Sequence, residues 1–158
     1  MIVYHGSNQV VQNPDVRHSN RALDFGKGFY VTTVKEQAVR WAKRKKLLFH
    51  GTAILNVFEM NAISTDLKFK DFGEDLPGWI KFVCDCRDGG ADYLQYDIIK
   101  GKVADDKVFR VVDMFHSGVW DINRAIEEIK AYPTFDQICF VTQDAIAKIL
   151  SFMNYEEV

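Results

Sequence analysis

The chain of 158 residues is marked first by what it has little of. It contains no apolar run of roughly 18 residues, the least that a membrane-spanning helix requires. Its start, Met1-Ile2-Val3-Tyr4-His5-Gly6-Ser7, lacks the basic segment and apolar stretch of a signal peptide, so a cytoplasmic location and no membrane partner are expected. Cysteine is scarce, with three residues; an odd number is not a disulfide framework. Proline is equally scarce, and Pro14, Pro77 and Pro133 stand apart from one another. No repeat, low-complexity tract or linker composition interrupts the sequence, so residues 1–158 read as one domain. Charge of one sign is lacking too. Twenty Lys and Arg stand against 22 Asp and Glu, a net charge of -2, which by itself points to neither nucleic acid nor an anionic membrane. No Gly-x4-Gly-Lys-Ser/Thr phosphate loop is present. What remains, 47% hydrophobic and 27% charged residues, is the balance of a soluble globular protein.

Cys84-Asp85-Cys86 invites comparison with a zinc knuckle. Such a site uses a Cys-x2–4-Cys pair with a second pair of ligands, and only Cys139 and four scattered histidines are left to supply it. No metal is therefore expected. The two cysteines read as opposite sides of a helix, one of them packed inside.

Periodicity supplies the elements. Residues 2–5 and 28–32 read as strands, the second from the β-branched and aromatic run Gly28-Phe29-Tyr30-Val31-Thr32. Thr33 followed by Glu36 fits a capping box opening a helix over 34–48, with Val34, Ala38, Trp41, Ala42 and Lys45 inward. Residues 53–59 alternate as a strand. Pro77 opens a helix over 77–87, and 93–100 forms a further strand. Val108, Val111, Val112 and Phe115 predict a helix over 106–116, capped by Asp105 or Asp106. Asp121 caps a helix with Ile122, Ala125, Ile126 and Ile129 inward. Residues 137–141 form an apolar strand, and Thr142 caps a last helix over 143–152. Strands and helices do not alternate strictly, so the class is α+β.

Three short segments bear chemistry: Tyr4-His5-Gly6-Ser7, Asp24-Phe25-Gly26-Lys27-Gly28-Phe29-Tyr30-Val31-Thr32, and Asp136-Gln137-Ile138-Cys139-Phe140. Each also has a plain structural reading. His5 fits a hydrogen-bonded strand-end histidine, Gly26 and Gly28 fit a hairpin with positive φ, and Tyr30 and Trp41 fit core aromatics.

In their order and spacing these segments resemble the ADP-ribosyltransferase superfamily, in its diphtheria-toxin and poly(ADP-ribose) polymerase branch. That branch has a His-Gly-Ser/Thr first strand, matched by His5-Gly6-Ser7. Its second motif is a Lys-Gly-Phe/Ile-Tyr strand with a further aromatic eleven residues after the tyrosine. Here these are Tyr30 and Trp41, tryptophan standing where tyrosine is commoner. Its third motif is a late strand opening with a glutamate, and here Gln137 takes that position, as in some relatives. Residues 50–110 look less like those prototypes than like a bacterial group with Asp-Phe-Gly-Lys-Gly-Phe-Tyr and Gly-x-Val-Ala-Asp-Asp segments, here 24–30 and 101–106.

The resemblance implies an ADP-ribosyltransferase-like split β-sheet core with flanking helices. It implies NAD as co-substrate, with the nicotinamide–ribose bond broken through an oxocarbenium-like state. Gly6 would pair through its backbone with the nicotinamide amide, assisted by Ser7. Tyr30 and Trp41 would sandwich the ring, His5 would bond a ribose hydroxyl, and Gln137 would accept a hydrogen bond there without supplying charge. Arg21 either reaches the NAD pyrophosphate or is a surface arginine. Lys43-Arg44-Lys45-Lys46 either complements a helix C-terminus or draws in a nucleic-acid substrate or acidic partner. The expected function is a mono-ADP-ribosyltransferase acting on a protein or nucleic-acid acceptor, the toxin of a bacterial toxin–antitoxin pair with an antitoxin as partner. The alternatives are an NAD glycohydrolase, a non-catalytic NAD- or ADP-ribose-binding protein, and a protein-interaction module.

Overall fold

The computed structural model describes residues 1–19, 23–133 and 135–158. Seven strands and five α-helices are assigned among them: β1 Ile2–Ser7, β2 Phe29–Val31, α1 Lys35–Phe49, β3 Ile54–Met60, β4 Phe69–Asp71, α2 Leu76–Arg87, β5 Ile98–Lys102, α3 Asp106–His116, α4 Ile122–Lys130, β6 Asp136–Phe140, α5 Gln143–Ile149 and β7 Leu150–Glu157. The class is α+β.

The strands form two sheets, one of order β1-β3-β7 and one of order β2-β6-β5-β4. All pairs are antiparallel except β4 with β5. Among the described residues a backbone bridge joins the two sheets, where Tyr4 and Thr32 exchange bonds of 2.8 and 2.9 Å. Alternation along the strands sends side chains to two separate cores. On one face of the four-stranded sheet Tyr30, Ile99, Cys139 and Val141 pack against Trp79, Ile80 and Val83 of α2, Val108, Val111 and Val112 of α3, and Ala125 and Ile129 of α4. On the other, Phe29, Val31, Ile98, Ile138 and Phe140 meet Ala145, Ile146 and Ile149 of α5 together with Val3 and Phe58 of the three-stranded sheet. A third, small cluster of Ala38, Leu55 and Val57 seats α1 on the three-stranded sheet.

Several helix starts follow from their caps. Asp75, Asp105, Asp121 and Thr142 each accept a backbone N–H from the first turn of the helix that follows. The expected capping box at α1 does not form. Val34 is the N-cap and no side chain caps it, because the Thr33 hydroxyl donates instead to Asp136 at 2.7 Å. The last helix stops at Ile149 rather than running to 152. Leu150–Glu157 pairs along the whole of β3, and those ladder bonds outweigh one more turn of an edge helix. The expected strand over 93–100 is half 3-10 turn, Asp92–Gln95, and half strand. Cys84 and Cys86 are both buried, not one of the two. Among the described residues no helix is long and apolar enough to cross a membrane.

Candidate functional site

The edge at which the sheets part is made by four residues. Tyr4 gives its backbone N–H and C=O to Thr32. In an antiparallel strand every second residue presents its backbone to the same edge, so Gly6 directs its N–H and C=O there too. Its natural partner would be Tyr30, but the Tyr30 carbonyl is taken at 2.7 Å by His5 Nδ1. The carbonyl can only accept, so Nδ1 carries a proton and donates it to Tyr30. His5 is 3% exposed and its ring lies 4.4 Å from that of Phe29, centroid to centroid. His5 therefore sits on the Phe29 side of the strands, the reverse of the side that Tyr4 and Gly6 share by alternation.

That latter side is a floor. Tyr4 bridges to Thr32. Val31 pairs with Ile138, which brings Thr32 level with Gln137, and Gln137 pairs with Gly101. Gly6, Tyr30 and Gln137 thus face one way. One wall is α1, which lies on β1 almost backbone to backbone: a Cβ on Gly6 would come within 2.0 Å of Ala38 O and 2.7 Å of Ala42 N. Trp41, half-buried, stands between those two residues. Beside it the Arg40 guanidinium lies 4.8 Å from the centre of the Phe135 ring, and Arg44 reaches Asp106 at 3.7 Å. The opposite wall is the segment 24–30 with α2 and the start of α3. Gly26, at φ 83°, packs so closely under the Tyr93 ring that any side chain would overlap it. The Tyr30 hydroxyl donates to Gly26 O at 2.5 Å and accepts from Phe25 N at 3.0 Å. Burial pushes that phenol well above its ordinary range, so it stays a neutral donor.

Gln137, 5% exposed, donates from Nε2 to Asp24 Oδ2 at 3.2 Å and to the Lys102 carbonyl at 3.1 Å. Asp24 in turn accepts from Arg87 Nη2 at 2.8 Å and Nε at 3.3 Å on Oδ1, and from Ala104 N at 3.3 Å on Oδ2. Arg87 is backed by the Phe109 ring at 4.2 Å. Asp136 points the other way, bonding Thr32 and Thr33.

A family model described as a protein of unknown function, DUF3990, matches residues 1–152. The chain belongs to the DUF3990 family. Nothing among the curated proteins matches it.

Of the site residues expected from sequence, this DUF3990 chain sets Gly6, Tyr30 and Gln137 on one face, with Trp41 on the helix that packs on Gly6, and joins His5 to the Tyr30 backbone from the reverse side of the strands. Ser7 is buried at the end of β1. Arg21 lies outside the described residues. Three residues were not singled out from the sequence. Asp24 opened a noted motif but carried no role, and Arg87 carried no signal at all; their ion pair becomes visible only once α2 is folded against the loop. Asn56 is likewise new. Fully buried, it accepts from Val11 N at 2.8 Å and donates to His5 O and Gln9 O, both at 3.3 Å, tying the His-Gly-Ser end of β1 to the loop that follows. Two surface cavities lie apart from this floor. One of about 430 Å³ is bordered by Met60, Phe69 and Lys100, the other of about 370 Å³ by Arg17, Lys27 and Tyr93.

Proposed function

We propose that this DUF3990 protein is an NAD-dependent mono-ADP-ribosyltransferase on an ADP-ribosyltransferase-like split-sheet fold. The supporting observation is the shared face: Gly6, Tyr30 and Gln137, drawn from three distant motifs, lie on one floor, and the helix that bears Trp41 packs on Gly6. In this reading the nicotinamide amide pairs with the Gly6 backbone at the split edge, where close approach requires glycine. Trp41 and Tyr30 hold the ring by stacking, which orients a flat leaving group. The C1′–N bond between ribose and nicotinamide breaks, the electron pair leaves with nicotinamide, and an oxygen or nitrogen of the acceptor forms the new bond to C1′ while its proton passes to solvent. The Gln137 carbonyl accepts from a ribose hydroxyl, while His5, on the reverse side of the strands, holds the Tyr30 carbonyl through Nδ1. The acceptor is a protein or a nucleic acid, and the biological setting is that of a cytoplasmic toxin held by an antitoxin.

The test is nicotinamide release from NAD, followed by transfer of labelled ADP-ribose to lysate and digestion with nuclease or protease. Release with a nuclease- or protease-sensitive label supports the transferase. Release without label makes the protein a glycohydrolase, and binding without release makes it a non-catalytic NAD-binding protein. His5→Ala is expected to lower release about tenfold to hundredfold, the worth of a buried hydrogen bond of roughly 1–3 kcal/mol.

A further inference from the structure

The geometry assigns Asp24 as the positioning residue of Gln137: the two form one unit in which the loop carries the carboxylate and the strand carries an amide fixed with its carbonyl outward. Both bonds from Gln137 Nε2 go to groups that only accept, the Asp24 carboxylate and the Lys102 carbonyl. The amide therefore has one possible sense. With both N–H groups engaged, Oε1 is the atom of the side chain left to meet a ligand, and it can only accept. The ligand group it meets is a donor, a hydroxyl. Asp24 is itself held, by two bonds from Arg87 and one from the Ala104 backbone, and the Asp24 and Arg87 side chains are 15% and 19% exposed. The negative charge of this corner is thus built into the 24–30 segment, across 113 residues of chain from Gln137.

The arrangement explains why glutamine and not glutamate stands at 137. A carboxylate there would face the Asp24 carboxylate and the Lys102 carbonyl with no proton to give either, and like charges at this distance oppose each other. Placing glutamate there alone is therefore harmful, while exchanging the two side chains, Asp24→Asn with Gln137→Glu, renews a donor-to-carboxylate bond in the reverse sense. The amide carbonyl introduced at position 24 still accepts from Arg87, while the Ala104 N–H loses its acceptor and the carboxylate at 137 still faces the Lys102 carbonyl, so the recovery is partial.

This inference rests on the NAD-cleaving reading for its catalytic consequence but not for its structural one, so two readouts are taken on the whole chain. Wild type, Gln137→Glu, Asp24→Asn and the double variant are compared for thermal midpoint without NAD, and for kcat and KM of nicotinamide release. Each single variant is expected to melt lower than wild type and, in Gln137→Glu, kcat is expected to fall more than tenfold with a smaller change in KM. The double variant is expected to melt higher and turn over faster than Gln137→Glu. Additive losses of thermal midpoint, or a Gln137→Glu variant as stable as wild type, would overturn the pairing. Recovery of the midpoint without recovery of kcat would overturn the positioning role. If wild type releases no nicotinamide, the NAD reading fails and the midpoints alone decide whether Asp24 fixes Gln137.

Discussion

The two walls of the candidate site are built differently. The wall formed by segment 24–30 and helices α2, α3 and α4 belongs to a deep core in which Phe25, Ile80, Val83, Ala125 and Ile129 have no exposure. The wall formed by α1 rests on a cluster of three buried residues, and its far end leaves Leu47, Leu48 and Phe49 largely in solvent. The contrast separates two tasks. The thick wall keeps Tyr30, Asp24 and Gln137 in fixed geometry. The thin wall carries Trp41, Arg40 and Arg44 with little packing behind it. Local stability follows buried apolar contact, so α1 is the part of the site that opens first.

That contrast can be broken from either side. The largest effect is expected in the thick wall. Trp79, 1% exposed, fills the core and donates from Nε1 to the Lys102 carbonyl at 3.0 Å, the same carbonyl that Gln137 uses. Trp79→Ala should cost about 3–5 kcal/mol, read as a lower urea midpoint at unchanged slope. A cost under about 1 kcal/mol would mean that this core is not what holds the wall. A smaller effect, about 1–3 kcal/mol, is expected for Gly6→Ala, whose methyl would collide with the α1 backbone and force it outward. Its signature is regional: amide exchange should rise along Lys35–Phe49 while the amides of β5 and β6 keep their protection. Uniform loss of protection would show the two walls to be one cooperative unit.

The smallest effect concerns the connection between the sheets. Asp66, on the link from β3 to β4, is bonded at 2.6 Å by Lys148 of α5, which with Ser64 holds its carboxyl down from 3.8 to about 2. A carboxyl with a depressed folded value contributes stability above its ordinary range and loses it as pH falls toward 2. Asp66→Asn should therefore flatten the acid limb of the stability profile between about pH 4 and 2 and lower stability at pH 7 by the same amount, a small one since the pair is exposed. An unaltered acid limb would remove this contact from the account.

Much of the fold was legible wherever the signal was local. The caps at Asp105, Asp121 and Thr142 and the proline at 77 mark helix starts through bonds made within one turn. Signals that depend on distant partners were not legible. Thr33-x-x-Glu36 has the form of a capping box, but its hydroxyl is claimed by Asp136 across 103 residues. Ile149-Leu150 continues the helical stripe of α5, and only pairing with β3 turns the chain into β7. β4 is three residues long, Phe-Lys-Asp, with nothing buried, so no alternation announces it. The site divides in the same way. His5, Gly6, Tyr30, Trp41 and Gln137 were picked out by motif order, whereas the partner that orients Gln137 was not, because a hydrogen bond between a loop aspartate and a strand glutamine leaves no spacing to read.

The long separations have a consequence for the making of the protein. Thr32 and Thr33 reach Asp136 across 104 and 103 residues, and Asp24 reaches Gln137 across 113. Among the described residues β6 is the strand that joins β2 to its sheet. During synthesis from the N-terminus the first two motifs therefore wait, unassembled, until the third has left the ribosome, and contacts of such range are slow to form. A growing chain carries the histidine, the glycine and the tyrosine for most of its elongation without a floor to set them on. Whatever chemistry the finished site performs is withheld from the translating cell until residues 136–140 have been made and have paired with β2.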